Sequence, residues 1–217
     1  MIVGCNYLQK KRVDMKKKLI YRTVLNQCPL CYQETKRINQ LLLSGSSTKE
    51  IENAITNDNI LQLPSLDRRK RVGNEIIFRL NEVGIDTQML IQSEDLQTSK
   101  SLVIYSILQV DLLFLEFVRG VYLEKILTFR HEITKKEVRR FIEKQIENNE
   151  KAQTWSEKTI KELTSTFLRI LVEGGFIQKI NSDTYQIQRM VLSLEVEKFL
   201  REKGYKPVAE ILLGELL

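Results

Sequence analysis

The stretch SEKTIKELTSTFLRILVEGGFIQKINSDTYQI, from Ser156 to Ile187, decides the fold. Ser156 is a good helix N-cap, because its hydroxyl can accept from an orphan amide of the first turn. The helix it opens runs to Glu173 and stops at Gly174-Gly175, the residue type that terminates helices in the left-handed region. Two β-type runs follow, Phe176–Ile180 and Thr184–Ile187, around Asn181-Ser182-Asp183, which is a hairpin signal. Upstream, Thr134 and Glu137 have capping-box spacing and open a helix to about Asn148, followed by a polar turn over Asn148–Thr154. Helix, turn, helix and hairpin is the order of a winged helix-turn-helix. At 100° per residue the second helix buries Ile160, Leu163, Phe167, Ile170 and Leu171. It presents Lys158, Lys161, Glu162, Ser165 and Arg169 on the other side, and the wing carries Lys179. Short polar and cationic groups are what phosphates and base edges require. Such units also dock proteins, so both readings stand.

The rest of the chain is helical nearly throughout. Pro29 fits the first turn of a helix reaching Leu43, and Ser44-Gly45-Ser46-Ser47 breaks it. Ser47 and Glu50 again have capping-box spacing, for a short helix through Ile55. Ser65 is a plausible cap for a helix from Leu66 to about Val83. On that helix Leu66, Gly73, Ile76, Ile77 and Leu80 share one face, with Arg68, Arg71, Glu75 and Arg79 opposite. The run Arg68-Arg69-Lys70-Arg71 places cations on the first turns, where the macrodipole opposes them, so the local helix gains nothing from them. A short helix, a turn and a helix with basic leading turns is a second helix-turn-helix outline. Helices over about Asp95–Gln109 and Asp111–Phe129, read as possibly continuous, carry Phe114, Phe117 and Tyr122 as core residues. The last helices, Leu192–Lys203 and Val208–Leu217, bear an apolar stripe that packs back on the body or forms a homodimer.

Composition excludes several classes. With 217 residues, 42% hydrophobic and 29% charged, the chain can build a substantial core. Only 9 Gly and 3 Pro rule out a collagen-like or disordered chain and disfavour a β-sandwich. Three Cys, an odd number, make no disulfide framework, which points to a reducing cytoplasm. One His removes most His-dependent catalytic schemes.

The net charge is +6, and residues 1–22 alone hold seven bases against one acid. Residues 23–129 carry 11 bases and 13 acids, residues 130–217 carry 16 and 14. A basic arm that includes Lys16, Lys17 and Lys18 therefore equals the whole excess and suits a polyanion. The division expected is an arm over 1–22, a helical domain over 23–129 and a winged-helix-like domain with terminal helices over 130–217.

No signal peptide is expected, because the N-terminal apolar stretch is too short and lacks a cleavage site. Leu102–Val118 is the apolar run a hydropathy window finds, yet Asp111 and Glu116 lie inside it. Each charge costs about 2.5–3.5 kcal/mol at a helix centre in a membrane, so the run reads as a buried helix. Cys28-Pro-Leu-Cys31 could be half a zinc site or a redox dithiol. Zinc needs four ligands, and Cys5 and His131 are distant in sequence; a thioredoxin-like role needs a βαβ context. Two semi-buried thiols near a helix start is the simpler reading. There is no GxxxxGK, GxGxxG or HExxH, so neither catalysis nor a cofactor is expected.

Three stretches together resemble the BrxA family, a small component of the BREX (bacteriophage exclusion) defence systems. One is Ile51–Leu80, with Asn57-Asp-Asn-Ile-Leu-Gln62, Ser65 and the Arg68–Arg71 run. Another is the apolar helical pair with Asp111, Phe117 and Lys125. The last is Trp155-Ser-Glu-Lys-Thr159 leading to Leu171-Val-Glu-Gly-Gly-Phe176. The resemblance implies a mostly helical, non-enzymatic protein associated with double-stranded DNA and with other BREX proteins. It carries no residue set across, so the DNA-contacting residues expected are those above: the arm lysines, Arg68–Arg71, Lys158, Lys161, Arg169 and Lys179.

Overall fold

In the computed structural model, residues 19–217 are described, Lys151 excepted. The arm lysines Lys16, Lys17 and Lys18, and Cys5, lie outside the described residues. The chain starts with a 3-10 turn (Val24–Asn26), then α1 (Tyr32–Leu43), α2 (Thr48–Thr56), α3 (Leu66–Ser93) and α4 (Leu96–Leu108). Helix α5 (Leu112–Phe117) runs through a π turn (Val118–Leu123) into α6 (Glu124–Leu127). Strand β1 (Glu132–Thr134), α7 (Lys135–Glu147), α8 (Glu157–Glu173), β2 (Ile177–Lys179) and β3 (Thr184–Ile187) follow, and α9 (Leu194–Lys203) and α10 (Lys206–Leu213) complete the order. The protein is mainly helical with one small antiparallel sheet.

Helix α4 occupies the centre, buried from Leu102 through Leu108 with only Lys100 partly exposed beyond its first turn. Its serines cost little because they bond nearby carbonyls: Ser99 donates to Ile91 O, Ser101 to Gln97 O and Ser106 to Val103 O. The chain then bends by 116° between α4 and the α5–α6 segment. Asp111, at the bend, accepts the Phe114 amide at 2.9 Å and caps α5. No single helix among the described residues is long and apolar enough to cross a membrane.

One hydrophobic cluster runs from Leu25 to Leu212. Phe167 of α8 packs on Phe114 and Phe117 with ring centroids 4.9 and 5.3 Å away, and Phe117 meets Phe141 of α7 at 5.7 Å. Helix α10 closes against α4 and the π turn; Tyr105 Oη accepts the Tyr205 amide, and Arg119 pairs with Glu210 at 2.9 Å. Of the two roles open to the C-terminal stripe, packing back on the body is the one seen for Val208, Ala209, Ile211 and Leu212, all buried.

The capping signals form as read. Ser47 with Glu50 and Thr134 with Glu137 make reciprocal capping boxes, and Ser65 and Ser156 each accept a first-turn amide; Ser193, a cap that was not expected, does the same for α9. The hairpin over Ile177–Ile187 forms too, with Gln178 opposite Gln186.

Other expectations are corrected. Helix α1 starts at Tyr32 and not at Pro29, because Cys31 takes the left-handed conformation at the N-cap. The Leu66 helix does reach Val83 as expected; Gly84, at φ 77° and ψ 173°, a conformation only glycine adopts freely, breaks it there, and what the sequence did not show is the further helical stretch that continues to Ser93. The α4 and α5 helices are separate, not continuous. Strand β1 was not foreseen; it pairs with β3, placing Ile133 opposite Tyr185, and gives the sheet order β1-β3-β2. The polar face assigned to α3 is the largest error. Glu75 and Arg79 are buried whereas Leu66 is exposed, because the 22–30 segment crosses that face.

Candidate nucleic-acid interface

Helix α8 is amphipathic in the expected sense. Leu163, Phe167, Ile170 and Leu171 are fully buried, and Lys158, Lys161, Ser165 and Arg169 face solvent. Lys158 reaches Glu162 only at 4.0 Å, an exposed pair of little energetic weight. Lys161, Arg169 and Lys179 form no ion pair among the described residues. Facing α8 across a cleft of about 820 Å³ are Thr23, Asn26 and Gln27, from the turn that leads into α1.

The C-terminal half of this face meets the wing. Ser165 and Arg169 border a second cleft of about 220 Å³ with Lys135, Lys179 and Tyr185. Lys135 opens α7, and its amide donates to Asp183 O at 2.8 Å, which ties the helix start to the hairpin turn. Sequence reasoning missed Lys135: its place beside Lys179 follows from the β1–β3 pairing. Arg169, Lys135 and Lys179 thus converge from three elements.

The Arg68–Arg71 run does not act as one patch. Arg68 lines a cleft of about 470 Å³ with Gln27, Cys31, Lys100 and Glu173, so it lies on the α8 side through Gln27, which borders both clefts. Arg69 is committed elsewhere, donating from Nε to Leu63 O and from Nη1 to Thr56 O, both at 2.9 Å. It closes the carbonyl end of α2 and is withdrawn from the expected phosphate contacts. Lys70 borders a separate hollow with Lys49 and Leu66, and Arg71 is exposed. Lys100 joins the surface unforeseen, from a helix that otherwise reads as core. Burial pushes the Glu173 carboxyl up, and Arg169 and Lys100 partly offset this.

Beneath this surface lies a buried ionic network. Glu75 binds Arg22 (Oε2 to Nη2, 2.5 Å) and Arg79 (Oε1 to Nε, 3.0 Å). Arg79 also donates to Cys28 O and Pro29 O, so one guanidinium holds both the network and the loop. The Arg22 guanidinium sits 5.1 Å above the Phe78 ring. Burial pushes the Asp111 carboxyl up to about 7, against its bond from Phe114 and the charges of Arg22 and Arg79.

Comparison with known proteins decides the relationship. The BrxA family model matches residues 19–204. The chain belongs to the BrxA family. A relative from Bacillus cereus, described as BREX protein BrxA, is 29% identical over 201 residues, covering 93% of this chain and 100% of its own. Another of the same description, from Paramagnetospirillum magneticum, is 26% identical over 184 residues, covering 85% of this chain and 92% of its own. The BrxA-family chain also shares its fold with the crystal structure of an uncharacterized protein from Magnetospirillum magneticum. That match has a TM-score of 0.76 at 24% identity, covering 90% of this chain and 99% of the other.

Proposed function

We propose that this BrxA-family chain is a non-enzymatic, cytoplasmic DNA-binding subunit of a BREX anti-phage system, working with other BREX proteins. It grips duplex DNA through phosphate contacts made by a winged-helix-like unit. The observation that carries the reading is the convergence of Lys158, Lys161 and Arg169 along one exposed face of α8 with Lys179 and Lys135 beside it. Exposed lysine and arginine side chains, only Lys158 of them within ion-pair range of a carboxylate and that at 4.0 Å, are spaced along a helix and its flanking hairpin and match the repeated charge of a duplex backbone.

The test is a salt titration of binding to a random duplex. Each neutralised phosphate contributes about −0.9 to the slope of log affinity against log salt. The triple variant Lys158→Glu, Lys161→Glu, Arg169→Glu is expected to flatten the slope by roughly 3 and weaken binding strongly. Unchanged affinity and slope would move the interface off α8.

A second reading rests on the cleft itself. Thr23, Asn26 and Gln27 wall one side of α8, which gives the helix face the form of a groove able to seat a segment of another BREX protein. On that reading the same triple variant loses co-purification with its partner and keeps its DNA affinity.

A further inference from the structure

The loop between the 3-10 turn and α1 holds an arrangement that DNA binding does not use. Cys28 Sγ and Cys31 Sγ lie 3.4 Å apart. Cys28 is 1% exposed, whereas Cys31 lines the cleft it shares with Arg68 and Lys100 and is reachable from solvent. Cys31 has φ 49° and ψ 47°, left-handed values that a residue with a Cβ adopts at an energetic disadvantage. Backbone strain held in place beside a reactive pair is a recognised mark of a functional position. The Arg79 guanidinium is bonded to the Cys28 carbonyl and to Pro29 O, which fixes a buried positive charge beside the sulfurs.

We propose that Cys28 and Cys31 form an oxidisable dithiol that closes to an intramolecular disulfide when it meets a hydroperoxide. The hydrogen bond between the two sulfurs, reinforced by Arg79, favours a thiolate at Cys28 and raises Cys31. The 3.4 Å contact lets the Cys31 proton pass to the Cys28 sulfur, which leaves the thiolate on the open side where the peroxide arrives. Cys31, on the open side, attacks the peroxide oxygen; the O–O bond breaks, an alkoxide or hydroxide leaves and takes up a proton, and Cys31 becomes a sulfenic acid. Cys28 thiolate then attacks that sulfur and expels hydroxide, which leaves as water. Two thiols and one hydroperoxide give one disulfide, one alcohol (water, where the peroxide is hydrogen peroxide) and one water. The two electrons lost by sulfur reduce the O–O bond. Closure draws the sulfurs to about 2.05 Å, a shift that side-chain rotation can supply over so short a gap.

Both cysteines fall in the single tryptic peptide 23–36, so the unaltered full chain serves as its own probe. Folded protein is treated with hydrogen peroxide, quenched, denatured and alkylated with iodoacetamide. The expected result is peptide 23–36 without alkylation and lighter by two hydrogens than its reduced form, with both thiols returned by dithiothreitol. A Cys28→Ser chain should instead accumulate a dimedone-reactive sulfenic acid on Cys31. Full alkylation of both cysteines after peroxide overturns the proposal, as does direct passage to sulfonic acid or a cross-link to Cys5. None of these outcomes depends on whether the protein binds DNA.

Discussion

Glu75 shows what a single residue settles. Its carboxylate lies between Arg22 and Arg79, and all three are taken largely out of water. A buried pair is weak evidence of stability when whole, yet removing one partner strands the other's charge and costs about 3–5 kcal/mol. Glu75→Gln leaves two guanidiniums facing a neutral amide, so urea unfolding should show a loss in that range. Asp111 is the opposite case. Its Oδ2 has no hydrogen-bond partner among the described residues and burial raises its pKa to about 7, so the folded state binds a proton that the unfolded chain releases near pH 4. The folded state then holds more protons than the unfolded one between about pH 4 and 7, and this residue's contribution to stability falls as pH rises through that window. Asp111→Asn keeps a capping oxygen for Phe114 and lacks the titration. The stability difference, variant over wild type, should widen from pH 4.5 to 7.5 and then level off; a difference that stays flat across the window counts against the assignment.

Elements divide by whether their information is local. Caps are local: a hydroxyl at the N-cap and a Glu three residues on can satisfy orphan amides wherever the helix sits, so Ser47, Thr134 and Ser156 mark helix starts correctly in the sequence. The same holds for the α8 face, since a strong apolar stripe fixes which side turns inward. Strand β1 is not local; three residues carry no alternation, and pairing with β3 alone makes them a strand. The burial of Glu75 and Arg79 is not local either, because it depends on a segment more than forty residues upstream crossing their face. Lys100 and Lys135 escaped the sequence reading for the same reason. A local feature also gives this scale its prediction. Gly175 ends α8 with φ 78°, and a Cβ there would come within 2.6 Å of the Gln97 side chain, whose Nε2 bonds Gly174 O. Gly175→Ala should lower stability by about 1–2 kcal/mol from backbone conformation alone, and more if Gln97 is displaced. Gln97→Ala in the same denaturation series separates the two contributions.

At the scale of the whole molecule the basic arm and the folded body meet at one place. Leu19 is where the described chain begins, and Ile20 O accepts the Leu112 amide, which fastens the chain to the central bend. Thr23, a wall of the α8 cleft, follows four residues after Leu19, a span of at most about 14 Å. The described chain thus begins close to the face that carries Lys158, Lys161 and Arg169, and the bases of residues 1–18 precede it in the sequence. Residues 1–18 hold six bases against one acid, so their removal can flatten the salt slope by at most about 5. If the arm and α8 face grip the same duplex, a chain lacking residues 1–18 should still bind, more weakly and with a slope reduced by roughly 2–4. Adding the triple charge reversal on α8 to that truncation should then abolish what binding is left. The order of the two changes matters little to the arithmetic and greatly to the mechanism: binding lost entirely with the arm would make the arm the DNA contact, and would leave the walled cleft of α8 to a protein partner.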